Sequence, residues 1–216
     1  MNARVATVRV LAALALLGVS LAAGPARAEE NDLRGLRVGM TLDELPATGF
    51  AGFACDSGPA LQGWRDYRRC APDAAGLRAV RFRYAEDENF RGSVNDTYEG
   101  TKVGGHPVLL ALLLDDAGTV RGLRIESDPA ARLFFRKKAH LLAELAKARF
   151  GEDGWTCTQA PPAADEEPVG GVFVKQHCEK ATPTRRYLLD RALFRRPGEE
   201  LRGFTGRSRV EILAPG

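Results

Sequence analysis

The sequence predicts an α+β fold: two tandem helix-plus-antiparallel-sheet units, each with a local disulfide and with helices packed on one sheet face. Three observations lead there. One order of features occurs twice: a helix start, a Gly-bearing turn, an aromatic two residues before Cys, a segment ending in Cys, then an alternating strand. It runs through 41–45, Phe53-Ala54-Cys55, 64–70 and 80–84, and again through 129–150, Trp155-Thr156-Cys157, 172–178 and 187–194. The four Cys form two groups, 15 and 21 positions apart internally and 87 apart from each other. Two-residue alternation at 79–84 stands apart from helical spacing at 130–150, which suits helices laid over an antiparallel sheet.

The elements follow in order. Thr41 and Glu44 make a capping-box pattern, placing Asp43 and Glu44 on the first turn of a short helix that Pro46 ends. Gly49 and Gly52 turn the chain towards Cys55, and 64–70 reads as a short strand after the turn at Gly58, Pro59 and Gly63. In 79–84, Val80, Phe82 and Tyr84 alternate with Arg81 and Arg83, so one face is buried and the arginines point out. The polar, Gly-rich 86–106 stretch reads as a loop, long enough to suggest function or disorder. Residues 108–114 and 120–126 form a hairpin about the turn at 115–119; the first arm belongs at the sheet centre. Asp128 and Pro129 start the longest helix, about 130 to 150, with Arg136, Lys137 and Lys138 on its polar side and Gly151 as its stop. Short strands at 155–158, 172–178, 186–194 and 209–213 complete the second unit.

Residues 1–28 read as a secretory signal peptide: Arg4 and Arg9, an uncharged run over 10–23, then Ala26-Arg27-Ala28. A run of 14 is short for a membrane span, and no later stretch suits one. The remaining chain divides into a first unit at 29–126, carrying the 86–106 loop, and a second at 127–216. Export to the periplasm of a Gram-negative bacterium, or secretion, follows. In that setting Cys55, Cys70, Cys157 and Cys178 read as two structural disulfides. Of three possible connectivities, local pairing within each group is the economical one.

Charge excludes more than it suggests. The chain has 31 Lys plus Arg against 28 Asp plus Glu, but Arg4, Arg9 and Arg27 lie in the leader, leaving 28 against 28. A balanced body lacks the cationic surplus that nucleic-acid binding requires, and gives no global argument for anionic membranes. The Cys and His spacings do not match a zinc site, and the acids of the 86–106 loop do not follow a calcium-loop register, so neither metal nor cofactor is expected.

The Gly39-Met40-Thr41-Leu42-Asp43-Glu44-Leu45 segment, leading to a Cys and a second Cys ahead of a strand, resembles one unit of the tandem-repeat β-lactamase inhibitory proteins. With the 108–116 strand and its Asp-Asp-Ala-Gly turn, it is also similar to the small outer-membrane assembly lipoproteins of the SmpA/OmlA type. Both groups bind proteins without catalysis, and Gly39, Met40, Thr41 and the four Cys carry over as framework residues. The resemblance implies a non-catalytic periplasmic interaction or binding module whose partner is a periplasmic or envelope protein. The sheet face or the 86–106 loop would make the contact, the candidate residues of the loop being Glu88, Asp96, Tyr98, Glu99 and His106. A second reading is a small-ligand or anion carrier, with Arg65, Arg68, Arg69, Arg81 and Arg83 converging on a carboxylate or phosphate. A third is an enzyme with His106 as acid/base and Asp96 or Glu99 orienting it, although no nucleophile or phosphate-loop motif is present.

Overall fold

Segments in which apolar and polar side chains alternate must bury one face, and here they do so together in one sheet. A computed structural model describes residues 32–85, 100–198 and 203–215. Its strands are β1 (Phe50–Cys55), β2 (Arg78–Tyr84), β3 (Thr101–Val103), β4 (His106–Leu114), β5 (Val120–Ser127), β6 (Thr156–Gln159), β7 (Val174–Ala181), β8 (Arg186–Phe194) and β9 (Thr205–Leu213). The order across the sheet is β1-β2-β4-β5-β9-β8-β7-β6, with β3 also paired to β4, and every pairing is antiparallel.

The expected α+β fold of two tandem units is therefore corrected. Among the described residues helix is confined to short pieces, and strands from both halves share one nine-stranded sheet. The join is β5 on β9, where Leu123 faces Ile212 and Ile125 faces Val210. All four side chains are buried, so separating the halves would expose a continuous apolar row. On the same inner face lie Val80, Phe82 and Tyr84, then Leu110, Leu112 and Leu114, then Tyr187 and Leu189. The inward reading of β2 and the central hairpin agree with the sequence, and the first hairpin arm does lie between two neighbours.

Three local expectations also change. Residues 41–45 form turns, not a helix, although the capping contacts are made: Thr41 N and Oγ1 donate to Glu44 Oε2 at 2.7 and 3.0 Å. Five residues before Pro46 are too few to propagate a helix from its nucleus. Trp64–Arg69 is a 3-10 helix, not a strand. Trp64, Tyr67 and Cys70 recur every three residues, which lines them along one face of such a helix, and all three are buried. Its Trp64 packs edge-on against Phe53 and Phe82.

The long helix expected over 130–150 is broken into α1 (Leu133–Lys137), a 3-10 turn at Ala139–Leu141, and α2 (Leu142–Phe150). Tertiary contact overrides the helical spacing. The Arg136 carbonyl sits against β9 at Gly206, where a Cβ would stand only 2.4 Å from that oxygen, and Arg136 Nη2 donates to Phe204 O at 3.1 Å. Gly151 does end α2. Strand β1, not foreseen, interrupts its pairing with β2 between Ala51 and Ala54.

The disulfides are Cys55–Cys70 and Cys157–Cys178. The first ties β1 to the end of the 3-10 helix, and the second joins residues directly opposite on β6 and β7. Residues 32–45 cross the inner face with Leu33, Leu36, Val38, Met40 and Leu45 buried. Their start is fixed by Asp32, only 3% exposed, whose two carboxylate oxygens accept from Arg185 Nε at 3.1 Å while Oδ2 also accepts from Val38 N at 2.7 Å. Among the described residues no helix is long and apolar enough to cross a membrane.

Candidate ligand-binding groove

Alternation leaves the two sheet faces with different chemistry. The outer face carries charges that close on one another: Arg81 with Asp56 at 2.6 Å, Arg124 with Glu211 at 2.7 Å, and Arg209 with Glu126. His177 continues this pattern, with Nδ1 2.8 Å from Asp190 and Nε2 3.0 Å from Glu179. Hydrogen bonds that its ring donates to the Glu179 and Asp190 carboxylates raise its pKa above the ordinary histidine value.

The inner face instead leaves a groove of about 520 Å³ between the sheet, α2 and two flanking segments. Tyr84, Ile125 and Val210 form its floor; Leu142, Leu145, Ala146 and Phe150 of α2 form one wall; Leu33 and Val103 line the other side. Volume and lining are those of a site for a small, mainly apolar ligand. The polar lining is cationic: Arg34, whose guanidinium lies 3.9 Å from the Tyr84 ring centre, with Lys102 and Arg149. Among the described residues the one carboxylate in the lining, Asp32, is held by Arg185. The β3–β4 turn closes on α2 at Gly104, where a Cβ would stand 2.6 Å from Leu145 Cδ1 and where the φ of +55° favours glycine.

Of the foreseen interaction-loop residues, Glu88, Asp96, Tyr98 and Glu99 lie outside the described residues. His106 starts β4 just beyond Gly104, with its Nδ1 buried and without a hydrogen bond. Burial depresses its pKa, and Lys138 and His140 add to the effect. The carboxylates named as its orienting partners are among the residues not described. His140, on the 3-10 turn, is likewise lowered by burial; the Lys137 carbonyl opposes this, Arg191 reinforces it, and Glu144 opposes it.

The five foreseen anion-binding arginines divide between the two faces. Arg65, Arg68 and Arg69 belong to the 3-10 helix, which packs on the inner face through Trp64, whereas Arg81 and Arg83 alternate with the inward residues of β2. Arg65 donates to Asp43 at 2.7 Å, Arg68 to Tyr67 Oη at 3.1 Å and to the Asp116 carbonyl at 3.3 Å, and Arg69 lies 4.0 Å from Asp66. Arg81 is paired with Asp56, and Arg83 runs across Gly52. Among the described residues no three His, Cys, Asp or Glu side chains are grouped as a metal site would need.

Arg34, Lys102 and Arg149, which line the groove, were not singled out from the sequence. They come from segments far apart in the chain, and each is an ordinary surface cation within its own element. The chain matches no family model, no curated protein and no solved structure.

Proposed function

We propose that this chain is a non-catalytic binding protein of the bacterial periplasm, and that its groove takes a small amphiphilic anion, an alkyl chain carrying a carboxylate or phosphate. One observation carries the reading: an apolar floor and wall meet a lining whose charges are cationic, apart from a carboxylate already held by an arginine. The alkyl chain would be driven in by loss of water from apolar surface, and the head group would be oriented by Arg34, Lys102 and Arg149. A cationic lining also disfavours the neutral or positively charged analogue. The leader-like residues 1–28 and two disulfides support export. The resemblance of residues 39–45 to exported binding families points to the same class. The outer face supports a protein partner less well, because its charges are largely spent on one another.

Calorimetric titration with decanoate, decyl phosphate and a neutral decyl glucoside tests this. The two anions should bind with a negative heat-capacity change, and the glucoside more weakly. Lys102→Glu should weaken the anions by about fivefold or more. Leu145→Glu, at a position 40% exposed and so tolerant of polarity, should do the same. Absence of anion binding, or equal binding by Leu145→Glu, overturns the reading.

A further inference from the structure

The two disulfides sit in different surroundings. Cys55 and Cys70 are both buried, 6% and 3% exposed. In Cys157–Cys178 the partners differ: Cys178 is wholly buried, whereas Cys157 is exposed, as are the other three residues of β6. Strand β6 ends the strand order, and it is paired to β7 at four positions. Lys147 Nζ, on α2, lies 3.7 Å from Cys157 Sγ, and this contact is at the surface. An incoming thiolate must reach one sulfur of a disulfide while the other leaves, so access selects the sulfur that is attacked. Of the four Cys, only Cys157 offers that access.

We propose that Cys157–Cys178 is an exchangeable disulfide, opened at Cys157 by an external dithiol with the Lys147 ammonium beside the reacting sulfur, while Cys55–Cys70 stays closed. One thiolate of the dithiol attacks Cys157 Sγ and forms a mixed disulfide. The bond to Cys178 breaks, and Cys178 leaves with the electron pair and takes up a proton. The second thiolate of the dithiol then attacks its own sulfur in the mixed disulfide, and Cys157 leaves as a thiolate. The dithiol ends as a disulfide, and the protein gains two electrons and, once Cys157 is protonated, two protons. Lys147 draws the incoming thiolate to Cys157 in the first step and stabilises the departing Cys157 thiolate in the second. The reverse sequence, with the Cys157 thiolate attacking an external disulfide, closes the bridge again.

Exchange here is local. Strand β7 keeps its eight paired positions on β8, and Lys180 Nζ still donates to the carbonyls of Phe150 and Gly151 at 2.7 and 3.0 Å, which anchors the end of α2. Opening the bridge therefore loosens four border residues and leaves the core in place, as expected of a segment with few buried contacts. Cys157, Cys178 and Lys147 do not line the groove, so this site and the groove stand or fall separately.

Reduction of the oxidised protein by dithiothreitol without denaturant, quenched with iodoacetamide and read by peptide mapping, tests the proposal. Cys157 and Cys178 should become alkylated while Cys55 and Cys70 remain bridged. The rate should rise with dithiothreitol concentration and exceed the global unfolding rate measured in urea and extrapolated to buffer. Loss of both bridges together, or opening of Cys157–Cys178 no faster than unfolding, overturns the proposal, because the bridge then opens only in the unfolded chain. Lys147→Gln should slow the reaction about threefold, and Lys147→Arg should keep the wild-type rate. An unchanged rate in Lys147→Gln overturns the part given to that ammonium. Single variants identify the exchanging sulfur: with folding checked by circular dichroism, Cys157 in Cys178→Ser should form a mixed disulfide with oxidised glutathione about tenfold faster than Cys178 in Cys157→Ser. Equal rates, or the reverse order, overturn the assignment of attack to Cys157.

Discussion

The three histidines occupy opposite electrostatic settings, and stability should register the difference. His106 and His140 have depressed folded-state pKa values, chiefly from burial, so above the unfolded value of about 6.5 they are neutral in both states and contribute no pH dependence. As pH falls below 6.5 the unfolded chain takes up these protons first, and stability declines towards the folded pKa. His177 has the reverse sign. Its raised pKa means that stabilisation by Glu179 and Asp190 is fully present below 6.5 and is lost as pH rises through the folded value. Urea midpoints measured across this range should show a shallower acid-side decline in His106→Gln and His140→Gln, and a shallower alkaline-side decline in His177→Gln. A shared direction for all three variants would refute the assignment. From the sequence His106 stood out by its Gly-rich setting, whereas His177 entered only through the Cys and His spacings weighed for zinc. The carboxylates that bracket His177 were not legible, since Asp190 reaches it across a strand pair and Glu179 by alternation on its own strand.

At the scale of elements, periodicity was most informative where a segment touches neighbours on one face only. Strand β8 was anticipated at its observed limits and β2 nearly so, because alternation in a half-buried strand is set by the sheet itself, while the central hairpin showed in an almost wholly apolar first arm and its Gly-containing turn. The 64–70 segment was read as a strand because turns flank it, while the informative feature was the period of three in Trp64, Tyr67 and Cys70. Residues 130–150 carry genuine helical spacing, yet the contact of Arg136 with Gly206 lies far away in sequence and breaks the helix. The cysteines constrained pairing better than they constrained secondary structure. Each bridge closes a loop of 15 or 21 residues and should stabilise the fold by about 3 kcal/mol in the loop-entropy account. Replacing Cys157 and Cys178 together by Ala should lower the unfolding free energy by about that amount in oxidising buffer. Urea denaturation measures it, and a loss well under 1 kcal/mol would mean that the short β6–β7 pair contributes little on its own.

For the whole molecule, the decisive contact is the last strand returning to the middle of the chain. The repeat in the sequence suggested two units, but equivalent order does not reveal that β5 and β9 each present an apolar row needing a neighbour. The groove was hidden for the same reason, being assembled from residues near 33, 103, 145 and 210. A shared sheet predicts one cooperative unfolding event for residues 29–216, with calorimetric and van't Hoff enthalpies equal. Two resolved transitions would show that the halves are energetically separate.

The strand order ends in β1 on one side and β6 on the other, and each of these carries one half of a disulfide. Exposed terminal strands are templates for pairing with another chain, and all four residues of β6 face solvent. Covalent attachment holds β6 against β7, and the other bridge ties β1 to the 3-10 helix that packs on the inner face. Oxidation thereby acts as a safeguard against strand exchange and fibrous association, a hazard that would begin at these borders wherever the thiols were kept reduced.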